Sequence, residues 1–171
     1  MKRLALVDLD GVLADDRHRV QFAIQKDWDE YFSRDRILSD DPWVEGQEMV
    51  ARLVSEGFIV QYLTGRWSSL RSVTEEWLDR NRFPMRRLTM REPQWHPQNL
   101  SEHAGWPSMR LGEFKVDYID RTRQNGGYDS VHMFDDDPNV IEAVKTHFGE
   151  ESATLCSWSI KPIEMVEQGQ A

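Results

Sequence analysis

The apolar run near the start of the chain constrains the fold most, because it ends abruptly in two aspartates. Residues 4–15 read LALVDLDGVLAD, so that Asp8 and Asp10 come just before Gly11. This pattern predicts a buried strand with carboxylates at its carboxyl end. If the strand continues through them, both carboxylates point the same way and repel by about 4 kcal/mol at about 4 Å and an effective dielectric of about 20. A divalent cation or a retained proton explains such a pair, and a simple turn is the plainer alternative.

Strand-like apolar runs alternate with helical patterns along the rest of the chain. Strands are predicted at 4–7, 58–63, 85–90, 131–134 and 153–157, and helices at 43–56, 67–82, 111–123 and 138–148, with one or two short helices within 20–33. Such alternation predicts an α/β fold, a Rossmann-like, doubly wound, parallel five-stranded sheet. We expect a single domain over residues 1–160 and a polar tail over 161–171. Ligands of such sheets bind at the carboxyl ends of the strands.

Polar residues follow two other predicted strands, and one lysine lies on a helix between them. Thr64 ends the second strand, Lys115 lies on the third long helix, and FDDDP at 134–138 ends the fourth strand. The Thr64 hydroxyl, with nearby backbone N–H groups, can hold an oxyanion, and Lys115 can neutralise a phosphate or the aspartates. Asp135 and Asp136 add oxygen ligands, and an oxygen-only site favours Mg²⁺. Asp137 is open to two interpretations, a helix cap or a contact to the metal through water.

Composition excludes several classes of function. The formal charge is −9, which argues against a protein that coats nucleic-acid duplexes. The one cysteine, Cys156, excludes an internal disulfide and fits a reducing compartment. No stretch is long and apolar enough to cross a membrane. We therefore expect a cytoplasmic protein with no membrane partner.

Taken in order, DLDGVLAD, TGR, Lys115 and FDDDP resemble the four motifs of the haloacid dehalogenase superfamily, over roughly residues 4–157. The resemblance implies that Asp8 is a nucleophile that forms an aspartyl-phosphate and that Asp10 is the general acid and base. It also implies a Mg²⁺ ion held by Asp8, by the Asp10 carbonyl, and by Asp135 or Asp136. An aspartate at the place of Asp10 points to phosphate-ester hydrolysis. The short segment before Thr64 predicts a minimal cap and an open site.

Within the superfamily, the chain is similar to the 3′-phosphatase domain of phage-type polynucleotide kinase–phosphatases. Arg19 stands eleven residues after the nucleophile, Arg66 lies within TGR, and Arg91-Glu92 follows the third strand. The similarity implies that Arg19, Gly65, Arg66 and Arg91 contact a phosphorylated DNA or RNA end. A G-x-x-x-x-G-K-[ST] stretch is missing from the sequence, so the kinase half is not part of it. The resemblance then implies a stand-alone phosphatase or one separated domain, with a separate kinase or ligase as a possible partner.

Two alternatives to a phosphatase of nucleic-acid ends stay open at this stage. The substrate can be a nucleotide or another small molecule instead of a nucleic-acid end, or the fold can serve as a non-catalytic binding module. Aromatic residues bear on the choice, because Trp67, Trp95 and Trp106 could stack on a terminal base. We interpret Trp28, Trp43 and Trp77 as core residues because they lie on apolar stripes. Several arginines also gather near the expected mouth of the site: Arg17, Arg19, Arg66, Arg71, Arg86, Arg87 and Arg91.

Overall fold

The computed structural model describes residues 1–92 and 108–159. Its strands are β1 (Arg3–Val7), β2 (Ala14–Asp15), β3 (Asp41–Pro42), β4 (Phe58–Trp67), β5 (Leu88–Arg91), β6 (Ser130–Asp135) and β7 (Ala153–Leu155). Its helices are α1 (Val20–Ile24), α2 (Trp28–Tyr31), α3 (Arg34–Leu38), α4 (Val44–Ser55), α5 (Arg71–Arg80), α6 (Ser108–Gln124) and α7 (Pro138–Phe148). Short 3-10 turns at Ser68–Leu70 and Glu150–Ser152 complete the described elements. The expected tail at 161–171 lies outside the described residues.

Five strands form one parallel sheet in the order β5-β4-β1-β6-β7, which confirms the predicted fold class. The first strand is central, so the chain winds to one side of it and then to the other. Val7 in β1 is level with Phe134 in β6. Asp8 therefore emerges beside Asp135, and Thr64 in the neighbouring β4 reaches the same edge. This edge is where a doubly wound sheet binds its ligands.

The apolar core lies on both faces of the sheet, as strand alternation requires. Ala5 and Val7 of β1 belong to the cluster that includes residues of α4 and α5, and Leu4 and Leu6 belong to the cluster that includes residues of α6 and α7. Burying one such leucine side chain contributes about 1.5–3 kcal/mol. The parallel strand β1 is thus covered on both sides, which its uninterrupted apolar run indicates.

Two of the tryptophans interpreted as core residues are buried, whereas one position predicted to face inward is not. Trp43 is 7% exposed and Trp77 is fully buried. The apolar spacing of 43–56 predicts that Val54 of α4 also faces inward, but this residue is 39% exposed, so that prediction is wrong. Met49, Val50 and Leu53 complete the buried stripe of this helix.

Strand β4, which the sequence predicts at 58–63, is longer than the sequence pattern indicates. It continues past Leu63 to Trp67, where it pairs with Arg91 of β5 after a shift in register. The following helix therefore begins at Arg71 instead of residue 67. Backbone pairing with β5 extends the strand through the polar residues 64–66, which apolar periodicity does not reveal.

The segment between the first two core strands forms only a small insertion, as expected for a minimal cap. Three short helices, α1 to α3, replace the predicted one or two, and an antiparallel pair of β2 and β3 closes the insertion at its base. Trp43 N–H donates to the Leu13 carbonyl beside this pair, at 2.8 Å. The base of the insertion is therefore fixed to the loop that follows β1.

Within the described ranges, we find no helix with the length and apolar character needed to span a bilayer.

Candidate active site

Lys115 joins the carboxylates at the carboxyl edge of the sheet. Helix α6 places its Nζ atom 3.0 Å from Asp8 Oδ1 and 2.5 Å from Asp135 Oδ2, with the lysine side chain fully buried. Burial disfavours the ammonium form, but Asp135 and Asp8 outweigh burial and raise the pKa of Lys115 above its ordinary value. The lysine therefore stays charged and holds the Asp8 carboxylate against the fourth-motif aspartate. The sequence predicted this meeting of three motifs.

Asp8, Asp135 and Asp136 form a compact carboxylate cluster. Each offers an oxygen atom, and these atoms all lie within 4.8 Å of one another. Burial raises the pKa of Asp8 well above its usual range, Lys115 opposes the rise, and the neighbouring carboxylates add to it. Burial and the adjacent carboxylates also raise the pKa of Asp136 to about 7. A divalent cation would offset this excess of negative charge, and a donor set of oxygens alone fits Mg²⁺.

The loop after β1 is shaped to accept the Asp136 carboxylate. Gly11 has a φ of +78°, and a Cβ atom at this position would lie 1.9 Å from Asp136 Oδ2. Only glycine allows both the backbone conformation and the close approach. Asp137, in contrast, caps α7, because its side chain accepts a hydrogen bond from Asn139 N at 2.8 Å. The helix-cap interpretation of Asp137 is therefore confirmed.

Asp10 lies between two arginines. Its Oδ1 atom accepts hydrogen bonds from Arg19 Nη2 at 2.5 Å and from Arg66 Nη2 at 2.6 Å. Burial disfavours the ionised carboxylate, but Arg66 and Arg19 outweigh burial and hold the pKa of Asp10 well below its usual range. Asp10 is therefore ionised and firmly oriented.

Asp40 is a fourth member of this charged group that the sequence did not indicate. Its carboxylate accepts hydrogen bonds from Arg19 Nε at 2.8 Å and Arg19 Nη2 at 2.7 Å, and from Arg66 Nη2 at 3.1 Å. The backbone carbonyl of Asp40 accepts a further hydrogen bond from Trp77 Nε1 at 2.8 Å. The sequence Asp40-Asp41-Pro42 indicates only a turn. No local signal could therefore have identified Asp40 as a member of the charged group.

Three of the arginines expected at the mouth of the site are paired with carboxylates. Arg19 and Arg66 are fully buried and face Asp10 and Asp40. Arg17 is exposed and pairs with Asp15 at 2.7 Å. Contact between substrate and either buried arginine stays a prediction, because each side chain would have to reach past Asp10.

Thr64, Gly65 and Arg91 occupy different depths at the same edge. Thr64 is fully buried, and its hydroxyl accepts a hydrogen bond from Arg66 N at 3.1 Å. Gly65 lines the cavity above, where Leu111 packs so close that a Cβ would lie 2.8 Å from its Cδ1 atom. Arg91 also lines the cavity and is 5% exposed, and burial lowers its pKa to about 10.

A cavity of about 490 Å³ opens at the carboxyl edge of the sheet. Carboxylates that include Asp8 and Asp10 line it, and so do four aromatic residues, Trp28, Tyr31, Phe32 and Trp67. The interpretation of Trp28 as a core residue is therefore wrong, because this side chain is only partly buried and lies on the cavity wall. Trp95 and Trp106 lie outside the described residues.

Asp16 also lines this cavity and was missed in the sequence. Its Oδ2 atom accepts a hydrogen bond from the Tyr31 hydroxyl at 2.7 Å. Burial, and to a smaller degree the Asp10 carboxylate, raise the pKa of Asp16 to about 6. In the sequence, Asp16 belongs to a polar stretch that indicates only a solvated loop.

Comparison with known proteins rests on structure alone, because no protein-family model and no curated protein matches this sequence. A chain of the Pnkp1/Rnl/Hen1 RNA repair complex superposes with a TM-score of 0.66 at 17% identity, over 91% of this chain and 42% of that one. The class C acid phosphatase from Bacillus anthracis superposes with a TM-score of 0.57 at 17% identity, over 90% of this chain and 65% of that one. The chain has the haloacid dehalogenase-like fold.

This haloacid dehalogenase-like chain spans less than half of the repair-complex chain that it matches. A second structure of the Pnkp1/Rnl/Hen1 complex gives a TM-score of 0.62 at 17% identity, over 91% of this chain and 46% of that one. Identities this low establish a common fold. The resemblance inferred from the four motifs is thus confirmed for the fold.

Proposed function

We propose that the chain is a Mg²⁺-dependent phosphoric monoester hydrolase with Asp8 as its nucleophile. The observation that carries this proposal is the meeting of Asp8, Lys115 and Asp135 on one side of a cavity, with Asp10 two residues beyond the nucleophile. Asp8, paired with Lys115, is placed to act as a nucleophile, and Asp10 is placed to act as the general acid and base. The haloacid dehalogenase-like fold, shared with an acid phosphatase, supports the same reaction class.

In the first step, an oxygen of Asp8 attacks phosphorus, and the bond from phosphorus to the ester oxygen breaks. Asp10 gives a proton to the leaving oxygen, which departs as an alcohol. In the second step, Asp10 takes a proton from water, and the resulting hydroxide attacks phosphorus. The bond to Asp8 breaks, inorganic phosphate leaves, and the carboxylate is restored. Lys115 offsets negative charge on Asp8 throughout.

Mg²⁺, when bound, would add positive charge against the phosphoryl oxygens. Asp8, Asp135, Asp136 and the Asp10 backbone carbonyl would hold it.

Asp10 has to change its protonation state to serve in both steps. Arg19 and Arg66 keep it ionised in the free enzyme. A phosphate bound beside Asp10 adds negative charge, which raises the pKa of the carboxyl and favours proton uptake. Proton uptake therefore accompanies substrate binding in this scheme. The two arginines determine how far the pKa of Asp10 has to rise before the proton binds.

The substrate class that we propose is the 3′-phosphorylated end of a nucleic acid. Support comes from the positions of Arg19, Arg66 and Arg91-Glu92 in the sequence, and from the likeness to a chain of an RNA repair complex. On this proposal, a kinase or ligase is the expected partner. The second candidate is a small-molecule phosphatase such as a nucleotidase, which the limited volume of the cavity favours.

Phosphate release tests both the activity and the substrate class. The assay compares a 3′-phosphorylated oligonucleotide, its 5′-phosphorylated twin and a mononucleotide, each with Mg²⁺ and with EDTA. We expect Mg²⁺-dependent release that is selective for the 3′ end. We also expect Asp8→Asn to lower turnover about a thousandfold or more. Asp29→Asn, an exposed carboxylate of α2, is the matched control and should retain full activity.

Each contrary result identifies a different error. Equal or better release from the mononucleotide would favour the small-molecule candidate. Full activity of Asp8→Asn would contradict the covalent mechanism. A complete lack of release from every phosphate ester would favour a non-catalytic binding module on the same fold.

A further inference from the structure

The aromatic side of the cavity is a continuous wall of rings. Phe32 lies at its centre, with ring centroids 4.8 Å from Trp67, 4.6 Å from Tyr31 and 6.3 Å from Trp28. Trp28 and Phe32 are nearly parallel, at 24°. Three of these residues, Trp28, Phe32 and Trp67, are only partly buried, so part of each side chain stays accessible. An apolar wall of this kind binds a flat, apolar group.

Charge restricts what can occupy the space between this wall and Asp8. Six carboxylates line the cavity, namely Asp8, Asp10, Asp16, Asp135, Asp136 and Asp137. Among the cavity-lining residues that the structure describes, Arg91 is the only cation. A ligand with several anionic groups would be repelled here, beyond the one phosphate that the Mg²⁺ and Lys115 region can accept. The group next to the wall is therefore not anionic.

Asp16 supplies a fixed hydrogen-bond acceptor beside the rings. Tyr31 Oη donates to its Oδ2 atom at 2.7 Å, which orients the carboxylate at the cavity surface. An oriented carboxylate has further lone pairs for a hydroxyl or amino donor of a ligand. A nucleoside combines a flat ring face with hydroxyl and amino donors and carries no negative charge, whereas a sugar or an alkyl chain has no ring face to stack.

We propose that this wall is a stacking site for the nucleoside that carries the scissile phosphate, with Asp16 accepting a hydrogen bond from it. The cavity volume of about 490 Å³ is in the range of sites that hold one small organic ligand. The proposal rests on the proposed phosphatase function and specifies its substrate. Two sources share this chemistry, a free mononucleotide and the terminal nucleotide of a strand.

The first test changes one ring and measures substrate preference. The quantity compared is kcat/KM for adenosine 3′-monophosphate divided by kcat/KM for glycerol phosphate, which has no ring. Trp28→Leu should lower this ratio about tenfold, because stacking on an aromatic side chain contributes that much or more per base. Trp28→Phe keeps a ring and should restore most of the ratio. Phe22→Leu removes a ring in α1 that packs against Arg36, away from the cavity, and should leave the ratio unchanged.

The second test measures binding without catalysis. Adenosine, which has no phosphate, is titrated into Asp8→Asn protein and followed by quenching of tryptophan fluorescence. We expect saturable binding that is weakened about tenfold when Trp28→Leu is added. A 3′-phosphorylated oligonucleotide assayed beside the mononucleotide identifies the source, since the ring change lowers kcat/KM for each substrate whose nucleoside stacks here.

The two proposals fail in different ways. An unchanged ratio in Trp28→Leu, together with no saturable binding of adenosine, overturns the stacking site even if every phosphate ester is hydrolysed. Adenosine binding that depends on Trp28, in a protein that releases phosphate from no ester, keeps the stacking site and overturns the phosphatase.

Discussion

Asp10, Arg19, Asp40 and Arg66 form a charge-balanced group beneath the cavity, with two carboxylates and two guanidinium groups. Both arginines and the Asp40 side chain are fully buried. Taking four charges out of water is costly, and mutual pairing repays that cost only while each charge has its partners. The group therefore holds Asp10 in place because none of its members can turn away without leaving an unpaired charge.

Asp40→Asn tests this view at a residue that does not line the cavity. Removing one carboxylate leaves two arginines to share Asp10, so we expect the free energy of unfolding to fall by about 3–5 kcal/mol. The measurement is urea unfolding of both proteins. Asp41→Asn, at the adjacent exposed position, is the matched control and should change stability by no more than about 0.5 kcal/mol. Equal effects of the two substitutions would contradict the role given to the buried group.

At the scale of an element, the loop after β1 decides whether Asp136 can approach the other carboxylates of the proposed metal site. Gly11 and Gly57 both have positive φ, at +78° and +80°. A Cβ at Gly57 would meet nothing within 4 Å, whereas a Cβ at Gly11 would overlap the Asp136 carboxylate. The two positions share a backbone conformation and differ in surroundings. Alanine substitutions at both therefore separate the effect of backbone strain from the effect of crowding Asp136.

Gly57→Ala should cost about 1–2 kcal/mol of stability, the strain of a left-handed alanine, and should retain activity. Gly11→Ala should cost more and should also raise the Mg²⁺ concentration that gives half-maximal turnover, because Asp136 has to move. Urea unfolding and phosphate release over a series of Mg²⁺ concentrations measure both effects. Equal losses of stability with unchanged Mg²⁺ dependence would show that Asp136 is not required near Gly11.

At the scale of the whole molecule, the net charge of −9 opposes a polyanionic substrate. Two of the exposed arginines near the site offset little of it, since Arg17 pairs with Asp15 and Arg71 pairs with Glu75. Raising NaCl from about 20 to about 200 mM should therefore leave kcat/KM for a 3′-phosphorylated oligonucleotide unchanged or increase it. A basic nucleic-acid-binding protein behaves in the opposite way. A tenfold or larger fall would reveal a cationic path for the strand.

Fold class and the centre of the candidate site could be predicted because both depend on local patterns. Apolar periodicity locates strands and helices, and the ends of parallel strands share one edge of a sheet. Asp8, Asp135 and Lys115 were therefore expected to meet, and they do. The end of the second strand was not predictable, because pairing with β5 extends it through polar residues.

The surroundings of that centre were decided by tertiary structure alone. Asp40 joins Arg19 and Arg66 across separations of 21 and 26 residues, and nothing in the sequence near any of them signals the pairing. Trp28 has the pattern of a core residue, yet it lies on the cavity wall with Phe32. The sequence by itself determined which chemical groups stand at the strand ends. Which charges neutralise each other, and which rings face the cavity, depends on distances between remote segments that only the folded chain sets.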